Sequence, residues 1–238
     1  MTNTLSPIPR QEAESCMDGL LEQYPDVKKV LLIPPDFTTC YSYAGELTQI
    51  LYKKLAPRVL VHIMPALGTH MAMDEEEKQK MFGSEIPPEA FLDHHWQTDT
   101  VSIGIVPREV IEKISQGLYS TEIEVEVNER LINGEYDLIL SIGQVVPHEV
   151  VGMANYSKNI FVGTGGRQMI NKSHMLSAIC GMEKALGVAD SPARKVFDYA
   201  QKHFVDGKLP LVYIQTVTTL EKQNVALHGL YIGASRTP

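Results

Sequence analysis

The segments K-V-L-L-I-P (Lys29 to Pro34) and R-V-L-V-H-I-M-P-A (Arg58 to Ala66) decide the architecture. Each is a short apolar run bounded by proline, the pattern of a strand buried on both faces. Between them, Tyr41 to Leu55 places apolar residues at helical spacing, so the three segments read as one βαβ unit. Downstream, Met73 to Phe82 reads as a helix. Asp74 and Glu77 stand there at capping-box spacing, and Glu75, Glu76 and Glu77 lie near the positive end of the dipole. Val101 to Val106 reads as a strand, Pro107 to Gln116 as a helix, and Thr121 to Asn128 (T-E-I-E-V-E-V-N) as a half-exposed strand. Tyr136 to Gly143 returns to the buried pattern. Beyond it come a glycine-rich loop at Gly163 to Gly166, helices at Asn171 to Leu186 and Pro192 to Phe204, and strands at Pro210 to Thr218 and Asn224 to Ile232. The expected fold is α/β: a mostly parallel sheet flanked by helices, Rossmann-like, in one main domain over residues 1–238.

Composition narrows the function classes. Apolar residues make up 44% and charged residues 21% of 238, ordinary for a globular domain, and no run approaches a membrane span of about 20 apolar residues. A formal net charge of −8 without a lysine or arginine cluster argues against a nucleic-acid partner. Met1 to Arg10 lacks the apolar run of a secretory leader, so the expected compartment is the cytoplasm. Cys16, Cys40 and Cys180 are odd in number and widely spaced, which favours free thiols. At the other end, Ser235-Arg236-Thr237-Pro238 follows a strand and has the look of a helix start. It carries the expectation that the protein is longer than this chain.

Several polar residues fall where buried strands end, the place where open parallel sheets form ligand crevices. Asp36 follows the first strand, His70 the second (A-L-G-T-H, Ala66 to His70), and His148 follows Tyr136 to Gly143 behind the stiffening Pro147. Any one of them also fits a capped turn or a hydrogen-bonded core histidine. Two imidazoles on opposite sides of one carbon can serve as base and acid at neutral pH. Lys158 is the lone cation in Met153 to Asn159, before a strand-like Ile160 to Gly163, and reads either as functional or as a solvated loop lysine. His174 lies near the start of its expected helix and also fits a histidine of the N-cap region. No partner stands at the spacing of an H-x-x-x-H zinc motif, so a metal here must draw most ligands from elsewhere.

Taken together, Asp36, the G-T-H of Gly68 to His70, Pro147-His148, Lys158 and His174 resemble, in order and spacing, the nickel-dependent lactate racemase family, over essentially the whole chain. The resemblance implies the amino-terminal catalytic domain of a racemase or epimerase of a small 2-hydroxy acid. Its cofactor would be a nickel pincer nucleotide, a pyridinium-derived mononucleotide holding the metal through two sulfurs and a ring carbon. It implies Lys158 as the covalent tether, His174 as the fourth nickel ligand, Asp36 among the cofactor-binding residues, and His70 and His148 as the catalytic histidines. One of those two would take the hydroxyl proton while the C2 hydride passes to the cofactor. Sulfur and imidazole donors in a square-planar set suit nickel(II). The family's carboxy-terminal domain supplies further substrate contacts, including a lysine. Two departures stand out: Thr39 replaces an arginine associated with the substrate carboxylate, and M-A-N-Y-S (Met153 to Ser157) replaces a small S-G-G loop. Both point to a larger or differently charged 2-hydroxy acid.

Two other readings stay open. The chain is alternatively a non-catalytic nucleotide- or cofactor-binding domain, or a zinc hydrolase with His70, His148 and His174 on the metal. The loop Gly163 to Gly166 is either a phosphate cradle or a turn needing positive φ. His94 and His95 point to opposite faces if they lie on a strand, which suits a structural or surface pair.

Overall fold

The computed structural model describes residues 6–221 and 224–234. In chain order its elements are α1 (Arg10–Leu21), β1 (Lys29–Ile33), α2 (Ala44–Leu55), β2 (Leu60–Ile63), α3 (Glu75–Phe82), β3 (Thr100–Val106), α4 (Arg108–Ser115), β4 (Ile123–Asn128), the single turn α5 (Arg130–Asn133) and β5 (Leu138–Gln144). Then come two-residue strands β6 (Pro147–His148) and β7 (Gly152–Met153), helices α6 (Arg167–Cys180) and α7 (Pro192–Ala200), and strands β8 (Leu211–Glu221) and β9 (Asn224–Gly233). Five strands form the central sheet in the order β2-β1-β5-β8-β9, parallel except for β9. This is the expected α/β class.

Strand alternation divides the core. Val30 and Leu32 of β1 pack with α1 and α2 on one face, while Leu31 and Ile33 pack on the other with β3, β4, α6 and α7. Both faces are therefore covered, which is why Val30 to Ile33 and Leu138 to Leu140 read as continuously apolar. β3 and β4 pair antiparallel with each other, apart from the central sheet, and α6 and α7 pack on them. From β1 the chain moves outward to β2, then crosses back to β5 and β8 on β1's other side. The boundary between β1 and β5 is thus a topological switch point, and a crevice opens beyond their carboxyl ends.

Local expectations hold in part. Asp74 caps α3 with the reciprocal Glu77 capping box, and β4 alternates between buried and exposed residues. The second strand is shorter than Arg58 to Ala66, and a 3₁₀ turn over Phe37–Ser42 precedes α2. The strand expected at Ile160 to Gly163 is instead a π-helical turn, Asn159–Gly163, whose apolar residues face the core all round. That turn runs toward α6, which begins four residues before the expected start. His174 consequently lies in mid-helix and not near an N-cap. His94 and His95 sit in a loop rather than on a strand. Cys16, Cys40 and Cys180 are free. No helix among the described residues is long and apolar enough to cross a membrane. The expected helix start at Ser235 to Pro238 lies outside the described residues.

Candidate functional site

Asp36, His70, His148, Lys158 and His174 all line one cavity of about 450 Å³ at the switch point. Each arrives by a different route. Asp36 ends the β1 segment and caps the following turn, its Oδ1 accepting from the Thr38 amide at 3.2 Å and the Thr38 hydroxyl at 2.5 Å. Its other oxygen, Oδ2, lies 2.5 Å from Nδ1 of His70. Both oxygens are therefore engaged by protein donors, and the visible work of this carboxylate is to orient His70. With Nδ1–H donated to Asp36, the Nε2 lone pair of His70 is left as the acceptor.

His148 is arranged in the opposite sense. β6 and β7 form a miniature hairpin, and the backbone amides of Val150 and Val151 donate to Nδ1 of His148 at 3.1 and 3.4 Å. The neutral ring therefore carries its proton on Nε2 and acts as a donor. Desolvation, aided by the charge of Lys158 and opposed by Glu149, lowers its pKa from the ordinary value near 6.5 to about 4. The two imidazoles, expected to be interchangeable, are chemically distinct at rest: His70 is poised to accept and His148 to donate.

His174 projects from α6 with Nδ1 2.7 Å from the carbonyl of Ile170 one turn back. That bond makes Nδ1 the donor and frees the Nε2 lone pair, the tautomer that metal-ligating histidines adopt when a carbonyl fixes the other nitrogen. Burial lowers its pKa, so the ring stays neutral. Lys158 is part-buried, and desolvation lowers its pKa while Asp36 opposes the shift. A lysine held toward its neutral amine is a nucleophile. Histidine-selective ¹⁵N spectra are expected to show His148 as the Nε2–H tautomer and His174 as the Nδ1–H tautomer. His148 should remain neutral as pH falls toward about 4; a His148 that charges near the ordinary imidazole value would contradict this assignment.

Residues not singled out from the sequence hold this geometry. Asn159, buried, donates through Nδ2 to the Ile33 carbonyl and the Ser141 hydroxyl, both at 3.0 Å, and so ties β1 to β5 beneath the cavity. Arg194, 3% exposed, donates to the carbonyls of Met153 and Asn155 and to the Ser157 hydroxyl, fixing the loop that carries Lys158. In that loop Asn155 and Tyr156 both have left-handed backbone, φ 61° and 53°.

The glycine-rich loop is neither of the things expected of it. The amides of Thr164, Gly165 and Gly166 donate to Asn159, Val162 and Glu126 carbonyls, and the Glu126 carboxylate accepts from the Gln168 amide at 2.6 Å, taking the start of α6. These engaged amides offer no phosphate cradle. Gly163, Gly165 and Gly166 have no positive φ either. They are glycines because neighbours crowd them: a Cβ on Gly165 would lie 1.9 Å from the Phe161 carbonyl oxygen. His94, buried, pins the same loop by bonding the Gly165 carbonyl at 3.1 Å while Asn128 bonds its other nitrogen. This bears out its structural reading. On the far side, Gly68, with φ 58°, donates its amide to the Gly163 carbonyl at 2.8 Å, joining the His70 turn to the loop.

Among the described residues lining the cavity, Lys158 is the single lysine or arginine; Thr39 lines the rim with its hydroxyl turned back to the Asp36 carbonyl. Among the described residues no three His, Cys, Asp or Glu side chains gather as a metal site, so His70, His148 and His174 do not form the cluster a zinc hydrolase needs.

Comparison with known proteins gives three findings. The sequence matches the lactate racemase N-terminal domain family over residues 15–187. A crystal structure of a protein from Thermotoga maritima superposes with a TM-score of 0.85 at 26% identity, covering 95% of this chain and 55% of that one. The lactate racemase apoprotein from Thermoanaerobacterium thermosaccharolyticum superposes with a TM-score of 0.66 at 20% identity, covering 98% of this chain and 49% of that one, a likeness of fold. The chain thus spans about half the length of these solved relatives. No curated protein matches it.

Proposed function

Because this chain belongs to the lactate racemase N-terminal domain family, we propose that it forms the catalytic half of a 2-hydroxyacid racemase or epimerase using a lysine-tethered nickel pincer nucleotide. One observation carries the reading: a desolvated Lys158 amine and a His174 ring with its Nε2 lone pair free line the same cavity. Those are the two protein contacts such a group requires, an amine to bond and a neutral imidazole to ligate nickel. The glycine loop does not supply a third, since its amides are engaged within the protein. When bound, the cofactor supplies the hydride acceptor for C2.

The chain's own residues handle the proton and the orientation. His70 accepts the 2-hydroxyl proton at Nε2, and Asp36 stabilises the imidazolium that results. His148 donates its Nε2–H to substrate oxygen without becoming charged, a neutral electrophile rather than a second base. Return of the proton from His70 closes the cycle for either enantiomer. Contacts to the substrate carboxylate belong in this reading to a carboxy-terminal domain of the same protein, and the partner is a small 2-hydroxy acid in the cytoplasm.

The test is intact mass with metal analysis on protein made in a host that synthesises the cofactor. The wild type is expected to carry an added mass on Lys158 and about one nickel per chain, in keeping with one tether and one imidazole ligand. Lys158→Ala loses the mass, and His174→Ala keeps it but releases nickel on dialysis. An adduct on another lysine, or zinc without added mass, overturns the reading.

A further inference from the structure

The loop before Lys158 contains a polar side chain that the mechanism above leaves unused. Asn155 is 94% buried by its 6% relative exposure, lines the cavity, and neither its Nδ2 nor its Oδ1 has a hydrogen-bond partner. A buried carboxamide that lines a cavity and meets no protein partner at either end is placed to bond a ligand there. The surroundings are built around it. Gly143 at the end of β5 leaves it room, since a Cβ there would lie 2.9 Å from the carboxamide. Its left-handed φ of 61°, which asparagine tolerates, is held by Arg194 bonded to its carbonyl.

We propose that Asn155 is a substrate-recognition residue for a 2-hydroxy acid bearing a second hydroxyl on the adjacent carbon. The inference rests on the racemase reading of this cavity and names the substrate class it takes. A carboxamide presents one donor group beside one acceptor, and only a ligand offering both satisfies it. A carboxylate satisfies Nδ2 alone and leaves Oδ1 unpaired. A vicinal diol satisfies both: the C2 oxygen accepts from Nδ2 while its own proton goes to His70, and the C3 hydroxyl donates to Oδ1. Charge points the same way, because Asp36 and Glu149 line the cavity with Lys158 as the only lysine or arginine among the described lining residues. A second carboxylate on the substrate is disfavoured there, whereas a neutral hydroxyl is not.

Glycerate and lactate differ by that one hydroxyl and are the probes. Calorimetric titration of the protein together with the carboxy-terminal domain that this reading assigns to it, with both enantiomers of each acid, is expected to give about tenfold tighter binding of glycerate. Asn155→Gly keeps the left-handed backbone without strain and should bind both acids equally, at the wild-type affinity for lactate. Asn155→Asp keeps the acceptor, loses the donor, and should also lose the preference. A wild type that binds neither acid or does not discriminate, or an Asn155→Gly variant that keeps the preference, overturns the proposal. Such failure leaves the racemase reading standing if the Lys158 adduct forms, whereas absence of the adduct strikes that reading itself.

Discussion

Replacing Lys158 by methionine is expected to make the protein more stable and inactive together. The wild-type amine is held in a cavity that disfavours its charge, so the folded state lowers its pKa below the usual lysine value of 10.5. Methionine fills similar volume without that charge, and a gain of roughly 1–2 kcal/mol follows, or about 2–8 °C in Tm for a domain of this size. The sign with pH is fixed. The unfolded chain holds the lysine proton more tightly than the folded one, so the cost to the wild type is full below the folded pKa. It fades as pH rises through the folded pKa toward the unfolded value. Urea melts at pH 7 and at about pH 10 should therefore show the two proteins converging at the higher pH. Racemisation in cofactor-loaded preparations should drop by at least about a thousandfold, since the tether converts a bimolecular encounter into a fixed geometry. A methionine variant less stable than wild type at neutral pH would show that Lys158 is structural.

The second large effect runs the other way. Arg194→Leu removes donors from the Met153 and Asn155 carbonyls and the Ser157 hydroxyl at once, leaving buried acceptors unpaired beside two left-handed residues. A loss of about 3 kcal/mol is expected, or roughly 6–12 °C in Tm. Arg194→Lys should recover only part of it, because a single ammonium cannot fork to acceptors on three residues. A melt of Arg194→Leu matching the wild type would remove Arg194 from the support of this loop.

The sequence made the sheet legible where burial is complete. Val30 to Ile33 and Leu138 to Leu140 are apolar on both faces, the pattern of a strand buried between two layers. It also made Asp36, His70 and His148 legible as strand-end groups, because the crevice of a parallel sheet lies there whatever the flanking helices do. Other features were settled by contacts distant in sequence. Glu126, some forty residues before α6, decides that the glycine loop is closed, and nothing in G-T-G-G announces it. The π turn at Asn159–Gly163 shares its apolar composition with a strand. The unlike tautomers of His70 and His148 depend on whether a carboxylate or two amides meet Nδ1. Arg194 did leave a trace: Ser191-Pro192 marks a helix start, and a cation in the first turn opposes the helix dipole, which signals a guanidinium retained for another purpose. Asn155 left a weaker one, an asparagine suited to left-handed backbone where the family loop is small.

The bonds from Asn159 to β1 and β5 and from Gly68 to Gly163 have a consequence for how quickly a ligand is taken up. They fasten the ends of two central strands, the His70 turn and the segment after Lys158 to one another before anything enters. The ordering of these walls belongs to folding and is not repeated at each encounter. If the proposed hydroxy acid is the ligand, its association is expected at the rate of collision and alignment without a loop rearrangement, with differences in affinity among such acids set by how long each stays.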